Sequence, residues 1–174
     1  MVQDKQTGAC LCRKVQHRVS VPPIHTVVCH CANCRRITGS SFLIVSICPK
    51  DVSDVPLITC KDHFSLTSFV LTLLTIQRGF EVISGANLIK TYQDDATDSG
   101  TPLMRNFCYE CGSSLFATTA LNDQIISISA GSLEAVSDWE PTKELYCKNK
   151  AEWTTVSPSR KVEQHLADPF APAP

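Results

Sequence analysis

The chain has 174 residues, 43% of them hydrophobic, and a formal net charge of -1. That length suffices for one domain with a core, and the near-neutral charge leaves no basic surface of the kind that holds a nucleic-acid backbone, so no nucleic-acid partner is expected. The longest apolar run, residues 69–76, is far shorter than the roughly 20 residues a membrane-crossing helix needs, so no membrane partner is expected either.

In chain order the pattern is mostly that of strands. The start, Met1-Val2-Gln3-Asp4-Lys5-Gln6, is polar and lacks the apolar core of a secretory signal. This points to the cytoplasm, with the nucleus as second choice, where thiols stay reduced. Val15, His17, Val19 and Val21 alternate with Gln16, Arg18 and Ser20, which predicts a strand with one buried face. Residues 24–28 lead into the central cysteine cluster, residues 32–37 are expected to form one helical turn, and residues 41–47 an apolar strand. Further strands are expected at 80–83 and 87–92. Residues 94–102 read as a polar loop, followed by strands at 103–107, 114–118 and 124–130. Residues 156–174 read as a flexible C-terminal tail, ending in a Pro- and Ala-rich stretch.

Seven of the ten cysteines fall in three tight clusters: Cys10-Leu11-Cys12, Cys29-His30-Cys31-Ala32-Asn33-Cys34, and Cys108-Tyr109-Glu110-Cys111. In a reducing compartment such clusters point to metal more than to disulfides, which remain the alternative. Seven thiolates exceed one tetrahedral ion and divide into four and three. Four close a structural zinc site, and three leave a position open. The expectation is two zinc ions per chain with different jobs. Cys48, Cys60 and Cys147 have no partner at metal spacing and read as packing or incidental thiols. His17, His25, His63 and His165 are isolated, and Trp153 reads as a packing residue.

These clusters, with Gly8-Ala9 before the first, Arg35-Arg36 and Gly39-Ser40 after the second, and Phe107 and Gly112-Ser113 around the third, resemble the glutathione-dependent formaldehyde-activating enzyme family, which includes centromere protein V. Glu144-Leu145-Tyr146-Cys147 and Trp153 are similar to the family's closing segment. The resemblance spans residues 7–155. It implies a mainly β fold, a β-tent of stacked short antiparallel sheets held by zinc. It implies that Cys10, Cys12, Cys108 and Cys111 hold a structural zinc, and that Cys29, Cys31 and Cys34 hold a second zinc at the active site. It also implies the joining of formaldehyde to glutathione as S-hydroxymethylglutathione, a carbon–sulfur lyase reaction. Glutathione or another small thiol would be the partner. Fold and metal do not by themselves fix the substrate.

At such a three-cysteine site a metal would lower the pKa of an incoming thiol, which favours thiol activation over water activation. His30 has three possible roles there: proton carrier, partner to a ligand, or fourth ligand. Alternation along extended backbone instead points it away, and that reading is preferred. Arg35 and Arg36 offer bidentate contacts to a glutathione carboxylate, or else form a solvated basic turn. Gly39, Ser40 and Ser41 line the site or simply make a turn. A non-catalytic zinc-held binding module is the competing reading, since the β-tent is shared with proteins that bind small GTPases. The extra three-cysteine cluster, Cys29, Cys31 and Cys34, argues for the enzyme, since a purely structural module needs only the four-cysteine site.

The resemblance is interrupted at residues 52–77. Their removal joins Ser46-Ile47-Cys48-Pro49-Lys50-Asp51 to Arg78-Gly79-Phe80-Glu81-Val82. The segment begins Val-Ser, which GTAAGT encodes, and ends in Gln, which CAG encodes. Leu-Thr, near its end, suits a branch-point sequence. It therefore reads as a retained intron translated in frame, or as a genuine insertion loop. Its uncharged run at 69–76 is prone to strand pairing.

Overall fold

The computed structural model describes residues 5–51, 79–155 and 162–165. The segment 52–77, Cys60, His63 and the end of the tail lie outside the described residues.

Eleven strands are described, in two sheets that do not close. Strand β1 (Gln6–Ala9) pairs antiparallel with β2 (Gln16–Val19), which pairs with β5 (Phe80–Ser84) in a three-stranded sheet. The second sheet contains β3 (His25–Cys29), β4 (Leu43–Pro49), β6 (Ile89–Asp94), β7 (Leu103–Cys108), β8 (Ser114–Thr119), β9 (Asn122–Ser129), β10 (Lys143–Leu145) and β11 (Glu163–Gln164). Its order is β11-β10-β3-β4-β9-β8-β7-β6. The pairs of β10 with β3 and with β11 are parallel, and the others are antiparallel. The expected mainly β architecture of stacked sheets is present, with these two parallel pairs added to it. Part of the segment read as a flexible tail, Glu163–Gln164, is docked as β11.

Local chemistry sets the strand limits. Val21 falls outside β2 because Pro22 and Pro23 follow it, and neither has an N–H for a ladder. Residues 87 and 88 are taken into a helical turn, Ala86–Leu88, in which Leu88 N–H donates to the Gly85 carbonyl at 2.9 Å. Strand β1 has no apolar alternation to announce it. It exists through its ladder with β2, where Gly8 sits opposite His17. A Cβ at Gly8 would lie 2.4 Å from His17 Nε2 and 2.6 Å from the Ser132 carbonyl, so only glycine permits this approach.

The period-2 pattern gives the large sheet two different faces. One face, with Cys48, Ile126 and Ile128, packs on Val19, Leu133 and Trp139, with Phe80 and Phe116 at the margin. The opposite face, with Val27, Cys29, Val45 and Ile47, lines a cavity. Burial holds Cys48 as a protonated thiol, its pKa pushed up to about 12.

Candidate functional site

The first cysteine group joins two turns distant in sequence. Cys10 and Cys12 sit in the connection from β1 to β2, and Cys108 and Cys111 sit at the end of β7 and in the turn after it. In the first turn, Arg13 N–H donates to the Cys10 carbonyl at 2.9 Å, and Val15 N–H lies 3.3 Å from Cys10 Sγ. In the second, Gly112 N–H donates to the Cys108 carbonyl at 2.9 Å, with Gly112 at φ +71°, a conformation glycine adopts without cost. Leu11 N–H donates to Ser113 Oγ at 2.9 Å, and Lys14 pairs with Glu110, so the two turns are tied together without the sulfurs. The Ser113 hydroxyl, with nearby N–H groups, pulls the Cys111 thiol down to about 5.

All four sulfurs lie within 4.8 Å of one another. Cys10 and Cys12 sulfurs are 3.3 Å apart, and Cys12 and Cys108 sulfurs 3.8 Å. A tetrahedron with zinc–sulfur arms of 2.3 Å has edges of about 3.8 Å. No disulfide joins the described cysteines. The donor set and its spacing fit a closed four-thiolate metal site.

The second group brings together Cys29 at the end of β3 and Cys31 and Cys34 at the start of helix α1 (Ala32–Thr38). Cys31 caps the helix, its sulfur accepting from Cys34 N–H at 3.3 Å, and Gly39 closes the other end in the left-handed region. The expected single helical turn is thus slightly longer, a seven-residue helix. The three sulfurs lie within 4.8 Å of one another. The Cys29 and Cys34 thiols, with the N–H groups of Cys34 and Asn33, pull the Cys31 thiol far down, and Cys29 is pushed up in the same exchange. This donor set fits a metal that keeps a further position for a ligand.

All three of these cysteines line a cavity of about 900 Å³. One wall is the sheet face with Val27, Val45, Ile47 and Ile125, and another is the polar loop with Thr97, Asp98 and Ser99. Tyr146, Lys148 and Asn149 lie at its edge. Tyr146 has φ +58°, uncommon for a bulky residue, and this turns the chain out of β10 toward Lys148.

The sequence profile of the glutathione-dependent formaldehyde-activating enzyme family matches residues 5–56 and 58–149. The chain belongs to this family. A solved structure it resembles is that of a Rhodobacter sphaeroides protein from a structural genomics programme. The two share 19% identity over 74% of this chain and 88% of that one, with a TM-score of 0.47. No curated protein sequence matches the chain.

In this family member the sequence motifs lie where the two metal-type clusters form, but other residues behind the cavity were not singled out from sequence. Asn33, between Cys31 and Cys34, donates from Nδ2 to both Asp94 carboxylate oxygens at 3.1 Å. Asp94 in turn accepts from Arg105 Nε at 2.7 Å and pairs with its Nη2 at 2.7 Å. Arg105 lines the cavity, and its charge acts on the Cys34 sulfur. The available signal was the lone charge of Arg105 inside the mostly apolar strand Leu103–Cys108.

His30 is wholly buried and does not line the cavity, in keeping with the alternation argument. Its Nε2 lies 2.8 Å from Glu144 Oε1. Arg35 and Arg36 are exposed and lie outside the cavity lining. With Ala32, Gly39, Ser40, Ser41, Ala151 and Trp153 they line a shallow groove, and Ala32 belongs to both surfaces, so groove and cavity adjoin. Trp153 is 79% exposed at this groove, which corrects its reading as a packing residue. Among the described residues, no helix is long and apolar enough to cross a membrane.

Proposed function

We propose that this family member is a zinc-dependent enzyme of the carbon–sulfur lyase type that joins glutathione, or a closely similar thiol, to an aldehyde at Cys29, Cys31 and Cys34. Family membership supports glutathione-linked formaldehyde chemistry. The observation that carries the finer reading is the opening of three clustered sulfurs into a large cavity, while the four-sulfur cluster sits apart from that lining. Cys10, Cys12, Cys108 and Cys111 would hold a structural zinc, and the three-cysteine group a second zinc. When bound there, zinc would supply thiol acidification and orientation of the reactants.

The chain's own residues divide the remaining work. Arg105, held by Asp94, offsets negative charge gathering at Cys34 and at an incoming thiolate. Asn33 fixes the Asp94 carboxylate against α1, so the charge and the cysteine-bearing helix move as one body. Glutathione carries two carboxylates. Lys148 at the cavity edge and the Arg35–Arg36 groove next to it are placed to receive one each. The cytoplasm remains the proposed location.

Paired substitutions test this division. Cys31→Ser is expected to keep the fold and lose at least about 100-fold of S-hydroxymethylglutathione formation from glutathione and formaldehyde, more than loss of a supporting contact costs. Cys108→Ser is expected to unfold the domain, because it opens the clasp between segments far apart in sequence. Rates and thermal melts of both variants check it. Full activity in Cys31→Ser, or equal loss of stability in both, would contradict the assignment.

A further inference from the structure

The cavity is far larger than formaldehyde requires. Formaldehyde has two heavy atoms and is little bigger than water, whose share of liquid volume is about 30 Å³. The cavity measures about 900 Å³, in the range of sites that enclose drug-sized ligands. Glutathione would take part of that space, but it is a polar tripeptide with two carboxylates, an ammonium group and two amides. It offers little to an apolar wall.

An apolar strip along β3 and β4 starts at the cysteines. Leu43 stands opposite Cys29 in the β3–β4 ladder, Val45 opposite Val27, and Ile47 opposite His25. Ile125 extends the same face on β9. From Cys29 back to His25 is four residue steps, about 13 Å of extended strand. Polar lining comes from the 97–101 loop, from Lys148 and Asn149, and from Ser127 and Ser129, which border the strip on β9 opposite Ile47 and Val45. The cysteine cluster therefore has a polar flank suited to a peptide thiol and an apolar channel with no matching part on that thiol.

Resting on the thiol–aldehyde reading above, we infer that the aldehyde used by this chain carries an apolar body, such as a straight alkyl chain of medium length, which lies along Leu43, Val27, Val45, Ile47 and Ile125 with its carbonyl at the cysteine cluster. The reaction balances without a further reactant. The thiol sulfur attacks the carbonyl carbon, one carbon–sulfur bond forms, the carbonyl π bond opens onto oxygen, and that oxygen takes the proton the thiol gave up. The product is a hydroxyalkyl thioether with an apolar tail.

NMR titration of the zinc-loaded full chain with primary alcohols from propanol to octanol tests the channel. Alcohols are inert stand-ins for the aldehydes and contain no thiol. Affinity should rise about three- to four-fold per methylene until the channel is filled. Amide shifts should gather at Val27, Val45, Ile47 and Ile125. Ile47→Ser should flatten the dependence on chain length, and the near-isosteric Val45→Thr should do so more mildly if Ile47→Ser does not fold. Affinity independent of chain length, or shifts away from these strands, would overturn the inference. The hydroxyl is common to the whole series, so the dependence on chain length reports the channel alone, and a failure here is separate from a failure of thiol activation, which the rate with glutathione and formaldehyde reports.

Discussion

Glu144 is 1% exposed, yet it accepts from His30 Nε2 at 2.8 Å and from Gln164 Nε2 at 2.7 Å, and pairs with Lys150 Nζ at 2.8 Å. A buried carboxylate is tolerated only when its oxygens are occupied in this way. The cluster ties β10, the 147–150 turn and β11 to the residue between two cavity cysteines. Glu144→Gln leaves Lys150 without its charge partner and removes the carboxylate that His30 meets. We expect a loss of about 3 kcal/mol, because breaking a buried pair costs more than never having made it. Chemical denaturation of the variant checks this, and a change below measurement error would show that the carboxylate is not supporting the site. Nothing in the local pattern announces this residue. A charged side chain in a three-residue strand reads as surface, and only the pairing of β10 with β3 encloses it.

At the level of elements, the strands bearing alternating apolar residues were legible, and those held by partners were not. β1 and β10 are short, polar or glycine-containing, and derive their form from neighbouring ladders. The cysteine turns were legible because ligand spacing is local. The Asn33–Asp94–Arg105 chain was not, since it spans α1, β6 and β7. The flanks of the 52–77 segment add a structural point. Lys50 carbonyl accepts from Gly79 N–H at 2.7 Å and from Phe80 N–H at 3.2 Å. With 52–77 removed, Lys50, Asp51, Arg78 and Gly79 become consecutive, and the first of these bonds becomes that of an ordinary β-turn. β4 and β5 would then be joined by a short connection without moving either. Deletion of 52–77 should therefore give a folded protein with unchanged zinc content, more soluble for losing the uncharged run at 69–76. Paired expression and metal analysis check the protein. A deletion variant that cannot fold would show that the segment belongs to the domain.

Across the whole molecule, the fold puts the two sulfur clusters in different surroundings, and the proposed function assigns them different tasks on that basis. The four-cysteine group brings the β1–β2 connection together with the end of β7. The three-cysteine group sits at the end of the sheet face that lines the cavity, beside the buried Arg105. The sequence alone indicates the division into four and three by ligand count, and the family resemblance indicates which cysteines belong to each. The cavity and its apolar wall emerge only from strand register, which places Leu43, Val45 and Ile47 beside Cys29 and Val27. The central claim is that the three-cysteine group activates a thiol entering this cavity. Titration of glutathione into the cobalt-substituted protein tests it most directly, since a new sulfur ligand alters the cobalt absorption. The account predicts a saturable spectral change with glutathione, absent in Cys31→Ser and much weaker with S-methylglutathione, whose sulfur cannot become a thiolate. An unchanged spectrum with glutathione, or equal changes with both compounds, would contradict it.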